Sequence, residues 1–131
     1  MNRKTVVASP ELPPVKGPYS AAIKADGFIF VSGLGPVDPT SGAALAGSIE
    51  AQTNLVLDNL ARVLKAAGSS LDHVVKTTVY LRDMNDFAQM NSVYATYFPK
   101  DPPARTTIQA ARLPMDFGVE IDAIAMENET L

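Results

Sequence analysis

Two residues, Asp26-Gly27, constrain this chain more than any others. They separate two runs of strand-like composition, residues 19–25 and 28–32. A two-residue connection between antiparallel strands needs positive φ at both central positions, and Asp-Gly is a preferred pair for it. The chain therefore contains a tight hairpin. A lone hairpin buries too little surface to be stable, so the remaining residues must extend and cover it. Ser32-Gly33-Leu34-Gly35-Pro36 ends the second strand, and Asp38-Pro39-Thr40-Ser41-Gly42 is turn chemistry throughout.

The cover comes from two helices. Val56, Leu57, Leu60, Val63, Leu64 and Ala67 recur at helical spacing across residues 48–67. Ser48 is placed to cap that helix, Glu50 favours its positive end, and Gly68 closes it. Residues 73–82 alternate as a strand, with Val75, Val79 and Leu81 set against Lys76, Thr78, Tyr80 and Arg82. Asp83 then caps a second helix through residue 97, whose apolar face is Phe87, Met90, Val93, Tyr94, Tyr97 and Phe98; Pro99 stops it. Strands follow at 105–111 and 118–126. With a short leading strand at residues 4–8, the order is β-β-α-β-α-β-β behind that first strand. This predicts an α+β fold, a mixed sheet with two helices on one face. No repeat or linker divides residues 1–131, which are read as one domain, and the Pro-rich stretch 10–18 reads as an extended arm.

Composition removes several function classes. The chain has 131 residues and no Cys, which excludes disulfides, thiolate metal sites and a cysteine nucleophile. A single His excludes a site of clustered imidazoles, and no spaced carboxylate cluster suggests a metal. A net charge of -3 argues against nucleic-acid binding by phosphate neutralisation. The basic start, Met1 to Lys4, is followed only by the short apolar run Val6-Val7-Ala8, which is less than a secretory signal needs. The longest strongly apolar run, Phe28-Ile29-Phe30-Val31, is too short for a membrane span. The expectation is a cytoplasmic protein, and Asn128-Glu129-Thr130 reads as an accidental glycosylation pattern.

Strand parity places Arg105, Thr107, Glu120 and Asp122 on the sheet's second face beside Ile124 and Met126. That face is too charged for a core and too apolar for plain surface, so a homo-oligomer is expected. Nucleotide-binding motifs fail: Gly33-Leu34-Gly35 lacks the third Gly and the following helix, and there is no Gly-Lys-Ser/Thr loop. His73, at a strand start, reads as structural. What remains is Arg105, whose planar fork fits a carboxylate, and Glu120, which could direct a water if partly buried. Each has a plain structural alternative as half of an ion pair. Tyr19 either reaches across an interface or packs at a strand start. Ser32 and Gly33 offer backbone N–H groups or an ordinary turn, and Asn91 either enters a pocket or stays on the helix surface.

Gly17-Pro18-Tyr19-Ser20, Val31-Ser32-Gly33, residues 67–71 and 74–79, Met84-Asn85-Asp86-Phe87, Tyr97-Phe98-Pro99, Pro103-Ala104-Arg105 and Val119-Glu120-Ile121 together resemble the Rid family in order and spacing. These are the YjgF-like reactive intermediate deaminases, formerly described as L-PSP endoribonucleases. The resemblance implies a chorismate-mutase-like fold and a homotrimer whose sheets close a central barrel, with clefts between subunits. It implies hydrolysis of 2-imino or 2-enamino acids, such as 2-aminoacrylate and 2-iminopropanoate, to 2-keto acids and ammonium, without a cofactor. It assigns Arg105 to the substrate carboxylate and Glu120 to the attacking water and the leaving nitrogen. Tyr19 would close the pocket from a neighbouring subunit, Ser32, Gly33 and Asn91 would line it, and the backbone at Thr107 would help hold the carboxylate. Three positions depart from the family's common residues. Ala21 and Leu34 stand where many members carry Gln, and Thr107 where many carry Cys, which makes the expected pocket more apolar. The alternative function is a non-catalytic binder of small keto or amino acids that regulates a partner enzyme. A ribonuclease is disfavoured by the acidic balance and single His, and no sequence feature points to a holdase.

Overall fold

The computed structural model describes residues 4–128. Met1 to Arg3 and the Glu129-Thr130 part of the acceptor pattern lie outside the described residues. Six strands form one sheet: β1 (Thr5–Val7), β2 (Ala22–Ala25), β3 (Phe28–Leu34), β4 (Val74–Leu81), β5 (Ala104–Gln109) and β6 (Val119–Met126). Their spatial order is β1-β2-β3-β6-β4-β5. Only the β4–β5 pair is parallel; every other pairing is antiparallel. The helices are α1 (Ile49–Ala66) and α2 (Phe87–Tyr97). Among the described residues no helix is long and apolar enough to cross a membrane.

Local chemistry explains the elements. Asp26 and Gly27 take φ of 50° and 85°, so Ala25 pairs directly with Phe28 in the expected hairpin. Ser48 caps α1, its side chain accepting from the Ala51 N–H at 3.1 Å. At the other end Gly68 adopts φ 81° and donates to Lys65 O, while Ser69 donates to Leu64 O. These two bonds satisfy carbonyls that the helix end leaves open, the Schellman arrangement. Val56, Leu57, Leu60, Val63 and Leu64 are fully buried against Ile29, Val79, Val119 and Ile121. Each such side chain contributes about 1.5–3 kcal/mol by leaving water.

The sheet departs from simple alternation at two bulges. Between Val74 and Lys76 the β4–β6 register shifts, so Val74 turns inward while Val75 is 38% exposed; the expected buried role of Val75 is thereby corrected. Downstream, Thr77, Val79 and Leu81 face the core. The β3–β6 register shifts between Val31 and Leu34, so Ser32 and Gly33 together oppose one residue of β6. The segment after β4 also differs from expectation. Asp83 caps a short 3₁₀ turn, Met84–Asp86, accepting from Asn85 N–H at 2.9 Å, and α2 begins only at Phe87. His73 belongs to a similar turn, Leu71–His73, with its Nδ1 2.9 Å from Ser70 Oγ.

The largest correction concerns the faces of β5. Arg105 lies in register with Thr77, a buried residue on the helix-covered side, and its guanidinium reaches α2. Thr107, two residues on, shares that side. Glu120 lies between Val119 and Ile121, both fully buried against the helices, so it projects from the opposite face with Asp122 and Tyr80. Arg105 and Thr107 therefore do not share a face with Glu120 and Asp122. Strand parity links residues within a strand; it does not say which of two faces the helices cover. On an edge strand such as β5, an aromatic helix face can take a guanidinium in place of an aliphatic side chain.

Candidate active site

The candidate site residues form two groups, one on each face. The first lies between α2 and β5. The Arg105 guanidinium sits 4.7 Å from the Tyr94 ring centroid and 5.6 Å from that of Phe87. Both rings stand on the same face of α2, seven residues apart. Tyr94 is fixed in turn, its hydroxyl 2.7 Å from Thr77 Oγ1 in the core. Burial raises the Tyr94 phenol above its ordinary pKa, against the opposing pull of Thr77 and Arg105, so the ring remains a neutral platform. Among the described residues no carboxylate pairs with Arg105. Its plain alternative, an internal ion pair, is therefore absent among the described residues; the cation rests on π faces and hydrogen-bonds the Tyr94 side chain, and neither contact neutralises its charge. Asn91 Oδ1 and Thr107 Oγ1, on the two elements that flank Arg105, are buried without hydrogen-bond partners.

The second group surrounds Glu120 at the β3 bulge. Ser32 Oγ donates to Ser20 O at 2.6 Å and Ser32 N–H to Ala21 O at 3.0 Å, which ties the arm to the bulge. Gly33 is packed directly on the Glu120 carboxylate; a Cβ there would collide with Glu120 Oε2. A side chain at this position would have to displace the Glu120 carboxylate, and the backbone here is not left-handed. Desolvation pushes the Glu120 pKa up, and the neighbouring Asp122 charge adds to it. A cavity of about 360 Å³ opens beside this carboxylate, lined by Tyr19, Ala21, Ser32, Gly33 and Leu34 among others. Tyr19 is 53% exposed at its mouth. The walls are held by buried polar side chains of α1. Asn59 donates to Val37 O at 2.9 Å, and Gln52 bridges Gly47 O and the Gly118 N–H at 3.0 and 2.8 Å.

The expected site residues thus fall into two sets. Tyr19, Ser32, Gly33 and Glu120 converge on one cavity; Arg105, Thr107 and Asn91 gather on the other side of the sheet. Within one protomer the two sets do not meet. Sequence reasoning placed Phe87 and Tyr94 on a buried face and missed that they cradle a cation. It also missed Met115 and Phe117, which line the Glu120 cavity from a loop with no periodic signal. The pairing of an aromatic helix face with an Arg on the following strand was the available clue to the first; no signal marked the second.

This helix-backed mixed sheet carries, among the described residues, a guanidinium without a carboxylate partner on one face and a carboxylate of raised pKa on the other. The chain belongs to the Rid/YjgF family: the family described as Endoribonuclease L-PSP matches residues 10–127. A RutC family protein of Pyrococcus horikoshii is 51% identical over 125 residues, covering 95% of this chain and 99% of that protein. The 2-iminobutanoate/2-iminopropanoate deaminase of Mus musculus is 44% identical over 125 residues, covering 95% of this chain and 93% of the mouse protein. The crystal structure of E. coli TdcF with bound serine superposes with a TM-score of 0.89 at 35% identity, covering 95% of this chain and 99% of TdcF.

Proposed function

We propose that the protein is a hydrolase that converts 2-imino and 2-enamino acids to 2-keto acids and ammonium, with each active site assembled from both faces of the sheet in a homotrimer. The observation that carries this reading is the pair of charges uncompensated among the described residues: a guanidinium without a carboxylate and a carboxylate without a cation, on opposite faces of one protomer. Packing one protomer's Arg105 face against a neighbour's Glu120 face completes both. The open face of the sheet supports self-association. It carries the cross-strand row Val6, Ile23, Phe30 and Ile124, with Phe30 45% exposed, a surface that favours burial. The similarity to the mouse deaminase supports the reaction class, and the serine bound by TdcF supports a small amino-acid-like ligand.

The chemistry follows from the residues. Arg105 holds the substrate carboxylate by its fork, with the Thr107 backbone and Asn91 beside it. The iminium carbon is already electrophilic, so positioning and a directed water suffice, and no cofactor is required. Glu120, as carboxylate, takes a proton from the water as oxygen bonds to C2, and the C=N π pair moves to nitrogen. Glu120 then returns the proton to that nitrogen. The C–N bond breaks, the hydroxyl proton is lost, and a 2-keto acid and ammonium leave. Ser32 and Gly33 shape the water's niche and Tyr19 closes it. The setting is read as cytoplasmic, where pyridoxal-phosphate-dependent dehydratases release such imines.

The test generates 2-aminoacrylate in situ with a dehydratase and follows pyruvate and ammonium. The protein accelerates release, and Arg105→Ala abolishes the acceleration. Equal behaviour of wild type and Arg105→Ala overturns the reading. Glu120→Gln separates catalysis from regulation, because hydrolysis collapses while keto-acid binding persists.

A further inference from the structure

The loop between β5 and β6 contains the strongest backbone departure in the structure. Met115 and Asp116 are consecutive non-glycine residues with φ of 51° and 57°. Side-chain-bearing residues avoid this left-handed region, and two in a row persist only where the surroundings hold them. Arg82 bonds to this turn from its exposed side. Its Nη1 donates to Asp116 O at 3.0 Å and to Asp116 Oδ2 at 3.1 Å, and its N–H donates to Gly118 O at 3.0 Å. On the far side, the Phe117 ring packs so closely on Gly35 that no Cβ fits there. Met115, 52% exposed, lines both the 360 Å³ cavity beside Glu120 and a second cavity of about 250 Å³.

The geometry points to Met115 as a specificity-determining residue, which with Leu34 and Ala21 forms an apolar compartment that selects 2-imino acids with long aliphatic side chains. This deepens the proposed function and rests on Glu120 being the catalytic carboxylate. The cavity is larger than a three-carbon imino acid fills and lies in the size range of ligand pockets. Its lining includes the apolar residues Leu34, Ala21, Met115 and Phe117. A flexible, polarisable thioether suits a variable apolar chain. One cation, Lys16, also lines the cavity, and its Nζ donates to Gly42 O at 3.3 Å, which turns it to the backbone of the 38–42 loop. Arg82 acts through Asp116 and is a positioning residue.

The experiment measures binding of pyruvate, 2-oxohexanoate and 2-oxoglutarate to the full chain by calorimetry. In parallel it measures kcat/KM for imines generated from alanine and norleucine by an amino-acid oxidase. 2-Oxohexanoate is expected to bind at least about ten-fold tighter than pyruvate, since an apolar pocket gains roughly that much per well-placed methylene. The kcat/KM ratio shifts in the same sense. Met115→Ala and Arg82→Ala each lower the long-to-short ratio at least about three-fold, and Leu34→Gln, on a different element, lowers it independently. A purely structural role for Arg82 would lower thermal stability and leave the ratio unchanged. A wild-type ratio at or below one overturns the inference, as does a ratio unmoved by Met115→Ala and Leu34→Gln. Tighter binding of 2-oxoglutarate than of 2-oxohexanoate also overturns it and assigns the cavity to Lys16. If no imine is hydrolysed but the binding ratio holds, the deaminase reading falls and the compartment stands.

Discussion

Among the described residues, the α2–β5 edge and the β3–β6 bulge leave opposite charges without ion-pair partners, by opposite means. At the edge, Arg105 is stabilised by the faces of Tyr94 and Phe87, which attract a cation without neutralising its charge. At the bulge, Glu120 is pressed against Gly33 in a partly desolvated cleft, where burial favours its protonated form. The first arrangement keeps a cation ready for an anion. The second tunes an acid toward proton transfer. A structural ion pair would have quenched both, and the sheet prevents it by holding the two groups on opposite sides.

The largest effect that would break this comparison comes from mixing protomers. Arg105→Ala is expected to lose binding by about 2–5 kcal/mol, and Glu120→Gln to lose turnover by about 10²–10⁴-fold. In the proposed homotrimer, assemblies re-formed from equal amounts of the two inactive variants regain roughly a quarter of wild-type activity, since that share of interfaces pairs an intact Arg with an intact Glu. No recovery in the mixed sample would mean that the two halves do not combine across subunits.

Next in size is Gly33→Ala. The added methyl displaces the Glu120 carboxylate, and a misplacement of about 1 Å costs on the order of 10²-fold in rate. The backbone there is not left-handed, so the fold is kept and keto-acid affinity changes little. A rate loss matched by an equal loss of thermal stability would assign Gly33 to folding alone.

A third effect concerns pH. Water activation requires ionised Glu120, so kcat/KM falls as pH drops through its raised pKa, on an acid limb above the usual carboxylate range. The stability effect has the reverse sense. A carboxyl whose folded pKa is raised costs nothing where both states are protonated, and the cost appears as pH rises through the folded value. Glu120→Gln should therefore match wild-type melting temperature at low pH and exceed it at neutral pH. A neutral-pH melting temperature below wild type would contradict the assigned desolvation.

The smallest effect sharpens the other half. Tyr94→Phe keeps the ring under Arg105 but removes the bond to Thr77, leaving a buried hydroxyl unpaired. A stability loss of about 1–3 kcal/mol is expected in denaturant titration, with only a few-fold rise in KM. A KM rise as large as that of Arg105→Ala would show that the phenol contacts substrate directly.

Much of this was legible beforehand, and the residues say why. The Asp26-Gly27 turn, the Ser48 cap, the Gly68 stop and the α1 stripe are written in neighbouring residues, because turn dihedrals, capping bonds and helical periodicity are local. The family resemblance picked out Arg105, Glu120, Tyr19, Ser32, Gly33, Asn91 and Thr107 as candidates, but their division between two faces was not legible. Val75 was misassigned because a bulge resets parity without changing composition. Met115 was invisible because its place depends on a strained loop, to which Arg82, thirty-three positions earlier, bonds.

The sequence by itself determined the elements, their order and the chemical groups available. Only the tertiary structure decided which face each group serves, because alternation along a strand has two equivalent solutions. The choice between them is made by what packs on top, here α2 with its two rings above Arg105.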